Sequence, residues 1–182
     1  MQNTNTNTIS STATMAPEIL ELDGKKIKIR PLSKDDMPLE ADFIQHLSPE
    51  TKHYRFFGAL NTISPAMLES LCNVDGENSM AFIATEEVDG KDVEIGVSRY
   101  AVGDSHDVHE IAVTIADSWQ HKGLGKLLMR HLIDYAKTHK VKTLFSVELA
   151  DNNAMRALAK ELGMKIKADP QDVHQVIYTL AL

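Results

Sequence analysis

A chain of 182 residues, 43% of them hydrophobic, is long enough for one domain with its own core and needs no disulfide or metal to hold it. Its formal net charge of -7 argues against nucleic-acid binding over the whole surface, and no apolar run approaches the roughly 20 residues of a membrane span. Cys72 is the single cysteine, which excludes an intramolecular disulfide and a cysteine zinc site; it reads as a small buried hydrophobe on a helix.

Residues 1–18, MQNTNTNTISSTATMAPE, lack the charged start and apolar centre of a secretory signal. Such an Asn/Thr/Ser tract is expected to be a disordered polar tail, with residues 19–182 forming one domain in a reducing compartment, the cytoplasm. KKIKIRPL (25–32) alternates basic and branched residues, as a half-buried strand does. Ser33 caps a helix start with Asp35 and Asp36 in its first turn, followed by Leu39, Phe43, Ile44 and Leu47 at helical spacing. Ser48-Pro49 and Ser64-Pro65 open two more short helices, the first carrying Tyr54-Arg55-Phe56-Phe57. From Ser79 the period shortens, and SMAFIATEEV, VEIGVSRYAV and VHEIAVTIAD read as three strands, the first two joined at Asp89-Gly90. Leu124, Leu127, Leu128, His131, Leu132 and Tyr135 then stripe one helix. VKTLFSVEL is a strand, NNAMRALAKELG a helix closed by Gly163, and VHQVIYTLAL a last strand. This order is an α+β layout with one mixed sheet, built around a strand–loop–helix unit at 108–137.

The loop of that unit carries the chemistry. A Walker A loop fails, because Gln120 stands at its first glycine and Leu127 at its Ser/Thr. A dinucleotide fingerprint fails at Leu128, where a third glycine belongs. What is present is Gln-x-x-Gly-x-Gly, from Gln120 to Gly125, after a strand and at a helix start. Glycines there let a backbone approach phosphate, the first-turn N–H groups and helix dipole stabilise its charge, and Lys122 and Lys126 can add point charges.

Here the chain resembles the GCN5-related N-acetyltransferase (GNAT) family, whose pyrophosphate signature is Arg/Gln-x-x-Gly-x-Gly/Ala. NNAMRALAKELGM resembles the family's later helical segment, and IRPLSKDD, LSPETKHYRFF and ISPAMLESL resemble the bacterial protein-lysine acetyltransferases. The resemblance spans about residues 27–168. It implies the GNAT fold, a mixed, mostly antiparallel β-sheet flanked by helices in three α/β/α layers. It implies acetyl-CoA as co-substrate, bound by Val113, Thr114 and Ile115 of the strand, by Gln120, His121, Lys122, Gly123, Leu124, Gly125 and Lys126 of the loop and helix start, and by Asn152. Glu110, a carboxylate entering an apolar strand, is the general base that both the resemblance and a pKa raised by partial burial would give; the alternative is a strand-end surface glutamate. The family's usual tyrosine is replaced by Ala159 and its phenylalanine by Met164. Tyr100, Tyr135 and Tyr178 read as packing residues. Arg55-Phe56-Phe57 either walls the acceptor cleft or is core and helix surface. His106 and His109 lie on opposite strand faces, so no metal site is expected.

The function implied is acetyl transfer to a primary amine, preferably a protein lysine ε-amine. A small-molecule amine is the alternative acceptor, and a non-catalytic acyl-CoA-binding regulatory module the alternative class. Neither a membrane nor a nucleic acid is an expected partner, and a homodimer is left open.

Overall fold

The structure, a computed structural model, describes residues 15–58, 60 and 62–182; of the expected tail, residues 1–14 lie outside the described residues. One sheet of eight strands runs β1-β2-β3-β4-β5-β6-β8-β7. Its strands are β1 (Glu18–Leu22), β2 (Lys25–Pro31), β3 (Ser79–Val88), β4 (Lys91–Ser105), β5 (Val108–Ile115), β6 (Thr143–Leu149), β7 (Lys165–Ala168) and β8 (Gln175–Ala181). The helices among the described residues are α1 (Met37–His46), α2 (Pro49–Phe56), α3 (Pro65–Cys72), α4 (Leu124–Thr138) and α5 (Asn153–Glu161).

Local chemistry explains most of these boundaries. Ser48 and Ser64 cap α2 and α3, each hydroxyl accepting the N–H three residues on, with proline behind the cap. Asp23-Gly24 and Asp89-Gly90 both take left-handed φ values, 53° and 72° in one, 52° and 75° in the other, which two-residue hairpins of the right twist require. The first of these turns belongs to a strand the sequence pattern hid. β1 begins at Glu18, inside the expected tail, and lies at one edge of the sheet. β7 was hidden too, because all four of its side chains are exposed and no apolar alternation marks it.

Alternation along the central strands feeds two cores. Met80, Phe82 and Ala84 of β3 pack with Leu128, Met129 and Leu132 of α4 and with Met155 and Ala159 of α5. Ala81, Ile83 and Val97 face the other way, onto Leu32, Phe43, Ile44, Leu47 and Cys72. The sheet therefore lies between α4 and α5 on one side and α1 and α3 on the other, the expected α+β layering. Cys72 is buried as expected, and burial pushes its thiol up to about 11.

Six of the seven strand pairings are antiparallel. The exception is β5 with β6, and it is short: Val108, His109 and Glu110 pair in parallel with Thr143, Leu144 and Phe145. Beyond Glu110, β5 continues against β4 and β6 against β8, so the two strands part. The parting opens the sheet where the sequence places its chemistry.

Candidate active site

A cleft of about 710 Å³ fills this opening. β5 forms one wall from Glu110 to Ile115, and Ser146, Val147 and Glu148 of β6 form the other. In a sheet, backbone groups without a neighbouring strand need other partners. Along β5 past Glu110, those pointing away from β4 face the cleft. Val113, Thr114 and Ile115 all line it.

At the far end of β5 the chain turns into α4. His121 at φ 60° and Gly123 at φ 88° make the turn, and Gly123 is the N-cap of α4. The first intrahelical bond runs from Leu127 N–H to the Gly123 carbonyl at 3.1 Å, so the N–H groups of Leu124, Gly125 and Lys126 have no partner within the helix. Gly125 lines the cleft beside Ile115 and Leu158. Gln120, His121, Gly123 and Lys126 line it as well.

Two side chains of the loop and helix start point away from the cleft. The side chain of Leu124 is fully buried in the core and leaves only its backbone near the cleft. Lys122 turns outward, its Nζ 2.7 Å from Asp23 and 5.3 Å from the Trp119 ring centroid. Trp119 explains the turn: it is 2% exposed, its indole N–H donates to Glu86 at 3.0 Å, and Lys25 approaches its ring as Lys122 does. Lys126 remains at the cleft, with Glu161 2.8 Å away at the surface.

Gln120 and Asn152 both line the cleft and also tie neighbouring elements together. The Gln120 amide donates to Thr51 Oγ1 at 3.1 Å and to the Ile115 carbonyl at 3.2 Å. Asp117 reinforces this joint, accepting from Ser48 N–H (2.9 Å), Ser48 Oγ (2.6 Å) and Thr51 Oγ1 (2.7 Å). The start of α2 is thereby fastened to the loop before α4. Asn152 caps α5 through Met155 N–H (3.0 Å) and donates its Nδ2 to Glu148 at 3.2 Å.

Glu110 lines the cleft but is exposed, which corrects the expected partial burial. It sits at the last pair before β6 leaves, where solvent reaches it. The half-buried carboxyl is Glu148, which the sequence reading passed over although it too enters an apolar strand. Burial raises the Glu148 pKa and Glu110 adds to this, against hydrogen bonds from Ser146 and Asn152 and the charge of Arg55. Arg55 lines the same cleft from α2, its guanidinium 5.1 Å from the Phe56 ring. Burial and the like charge of Arg99 lower its pKa to about 10, against Glu40, Glu148 and Glu110. Of the Arg55-Phe56-Phe57 trio, Arg55 and Phe57 wall the cleft, whereas Phe56 packs on the core beneath α1.

Tyr100, Tyr135 and Tyr178 are buried packing residues and none lines the cleft; the phenol that does is Tyr54 of α2. Ala159 is 1% exposed in the core. Among the described residues no group of three or more His, Cys, Asp or Glu side chains is arranged to hold a metal ion, and no helix is long and apolar enough to cross a membrane.

Comparison with known proteins agrees with this architecture. Residues 42–164 match the model of the acetyltransferase (GNAT) family. An acetyltransferase of Pseudomonas aeruginosa is 46% identical over 160 residues, covering 88% of this chain and 86% of that protein. Acetyltransferase Pat of Mycolicibacterium smegmatis is 30% identical over 141 residues, covering 77% of this chain but 41% of that longer protein. The GNAT domain of S. lividans PAT superposes with a TM-score of 0.81 at 22% identity, over 91% of this chain and 97% of that one. The Salmonella typhimurium protein yncA, whose structure holds acetyl-CoA, superposes with a TM-score of 0.69 at 18% identity, over 86% of this chain and 94% of that one. The strand–loop–helix unit and the opened sheet are thus those of an enzyme family that uses acetyl-CoA, and the chain belongs to the GNAT acetyltransferases.

Proposed function

We propose that the chain moves an acetyl group from acetyl-CoA to a primary amine, with protein lysine the preferred acceptor and Glu110 the general base. The observation that carries the reading is the coincidence of a helix N-terminus, an open strand edge and a carboxylate in one cleft. The residues present fit the donor: the N–H groups of Leu124, Gly125 and Lys126 suit a pyrophosphate, and the open edge of β5 suits the amides of a pantetheine arm. Bound there, acetyl-CoA supplies an activated thioester carbonyl.

The chain's own residues have two remaining tasks. An alkylamine with an ordinary pKa near 10.4 arrives as ammonium and loses two protons on its way to an amide, one before attack and one as the C–N bond forms, so the reaction needs a carboxylate base within reach of the nitrogen. Glu110 stands where the strands part, on the cleft wall. Tyr54 and Phe57 on the rim offer apolar surface to an alkyl stem. Lysine is preferred as acceptor because the α2 segment resembles that of the bacterial protein-lysine acetyltransferases.

The test is thiol release from acetyl-CoA with lysine peptides, intact proteins and polyamines as acceptors. Turnover of peptides and proteins is expected, with Glu110→Gln lowering kcat about 100-fold or more while acetyl-CoA affinity is kept. Turnover of polyamines alone would move the acceptor to small molecules. Tight CoA binding without turnover, indifferent to Glu110→Gln, would make the chain a binding module.

A further inference from the structure

Glu148 lines the cleft opposite β5, and the chemistry above leaves it unused. Its two oxygens are held separately, Oε1 by Ser146 Oγ at 2.6 Å and Oε2 by Asn152 Nδ2 at 3.2 Å. Ser146 lies in β6 and Asn152 is fixed as the cap of α5, so rigid elements aim this carboxyl. The charged and titratable groups facing it are Arg55 from α2, Glu110 from β5 and the buried phenol of Tyr178 from β8. Two carboxylates lining one cleft repel each other unless a cation comes between them. Arg55 offsets part of that repulsion, yet makes no direct ion pair with either among the described residues. The cation that the reaction itself brings is the acceptor's ammonium.

Two protons must leave that nitrogen, one from the ammonium before attack and one as the C–N bond forms. We propose that Glu148 is a second catalytic carboxyl, which receives the acceptor's ammonium opposite Glu110 and takes the first of these protons, leaving Glu110 to take the second. This rests on the acetyltransferase reading above. In the first transfer an O–H bond forms on Glu148 and the N–H electron pair stays on nitrogen as the attacking lone pair. As the C–N bond forms, the C–S bond breaks and its electrons leave with the thiolate. Glu110 passes its proton to that thiolate and Glu148 releases its own to water, so ammonium and thioester become amide, thiol and one proton. Burial suits Glu148 to the first transfer, since it makes this carboxylate a stronger base than an exposed one.

The experiment uses the full chain, acetyl-CoA and a lysine-containing peptide, following kcat/KM against pH and peptide binding to the CoA complex by calorimetry. For Glu148→Gln we expect at least a 100-fold loss of kcat/KM and about tenfold weaker peptide binding, with acetyl-CoA affinity within twofold of wild type. Ser146→Ala removes a donor that favours the carboxylate, so it should move the acid limb of the profile to higher pH and keep the plateau within a few-fold. Profiles of both variants that superimpose on wild type would overturn the proposal, as would loss of acetyl-CoA affinity in Glu148→Gln. A wild type inert toward every amine overturns the acetyltransferase reading and this inference together. Turnover that Glu110→Gln abolishes and Glu148→Gln spares overturns this inference alone.

Discussion

The two glycines at the start of α4 have different duties, and substitution separates them. Gly123 holds φ at 88°, where an alanine costs about 1–2 kcal/mol although nothing lies within 4 Å of its would-be Cβ. Gly123→Ala should lower the melting temperature by several degrees and raise the KM for acetyl-CoA, as the loop relaxes away from the cleft. Gly125 has an ordinary φ, and a Cβ there would meet Ile115 and Leu158 at 3.6 Å, normal contact distance. Gly125→Ala should therefore fold at least as stably, gaining up to about 1 kcal/mol of helix propensity, and melting curves of the two variants side by side check the contrast. At this scale the sequence was informative about whatever is local. The glycine loop could be read because a bend and a helix start involve consecutive residues. The tie from Asp117 to Ser48 could not, since it joins positions 69 residues apart. Nor could the exposure of Glu110, which depends on a neighbouring strand leaving.

Among the elements, α2 depends most on others. It buries no residue fully, and its N-terminus is fastened by Asp117 and Gln120 to the loop before α4. Burial works against the charged form of Asp117, but hydrogen bonds from Ser48 and Thr51 outweigh it and hold the pKa below the usual carboxylate range. Stabilisation from a lowered carboxylate pKa is complete above the unfolded value near 3.9 and is lost as pH falls through the folded one. Asp117→Asn should thus flatten the acid end of a stability–pH curve. Asp117→Ala should cost about 1 kcal/mol, solvent screening keeping it small, and should raise the amine KM if the acceptor enters, as proposed, along the cleft wall that α2 lines. Denaturant midpoints and steady-state kinetics measure the two effects. Strands and helices with caps, prolines and clear periods were legible from the residues. β1 and β7 were not: edge strands bury too little for hydrophobicity to mark them.

Across the whole molecule, the layer between α1 and the sheet holds charge as well as hydrocarbon. Arg99 donates to Glu40 at 2.5 Å and to the Leu71 carbonyl at 2.8 Å, while both oxygens of buried Glu94 lack a donor among the described residues. Burial pushes the Glu94 pKa well up and the Glu40 carboxylate adds to it, so a proton held on Glu94 supplies the missing bond to Glu40. A carboxyl whose pKa is raised on folding binds more protons in the native state, and stability falls as pH rises above the unfolded value near 4.3. Glu94→Gln keeps a donor without the charge. Its melting temperature should exceed that of wild type by a margin that grows from mildly acidic to alkaline pH, which a series of thermal melts checks. The short parallel ladder has a mechanical consequence at this same scale. Three residue pairs join the blade of β1–β5 to the blade of β6–β8, and that seam is where the sheet is thinnest against shear. A molecule lying along the open edge of β5 and touching β6 acts as a splint across the crack. The bound protein should then resist tearing, proteolytic nicking and amide exchange at β6 more than the empty one, in proportion to how much of the gap its ligand spans.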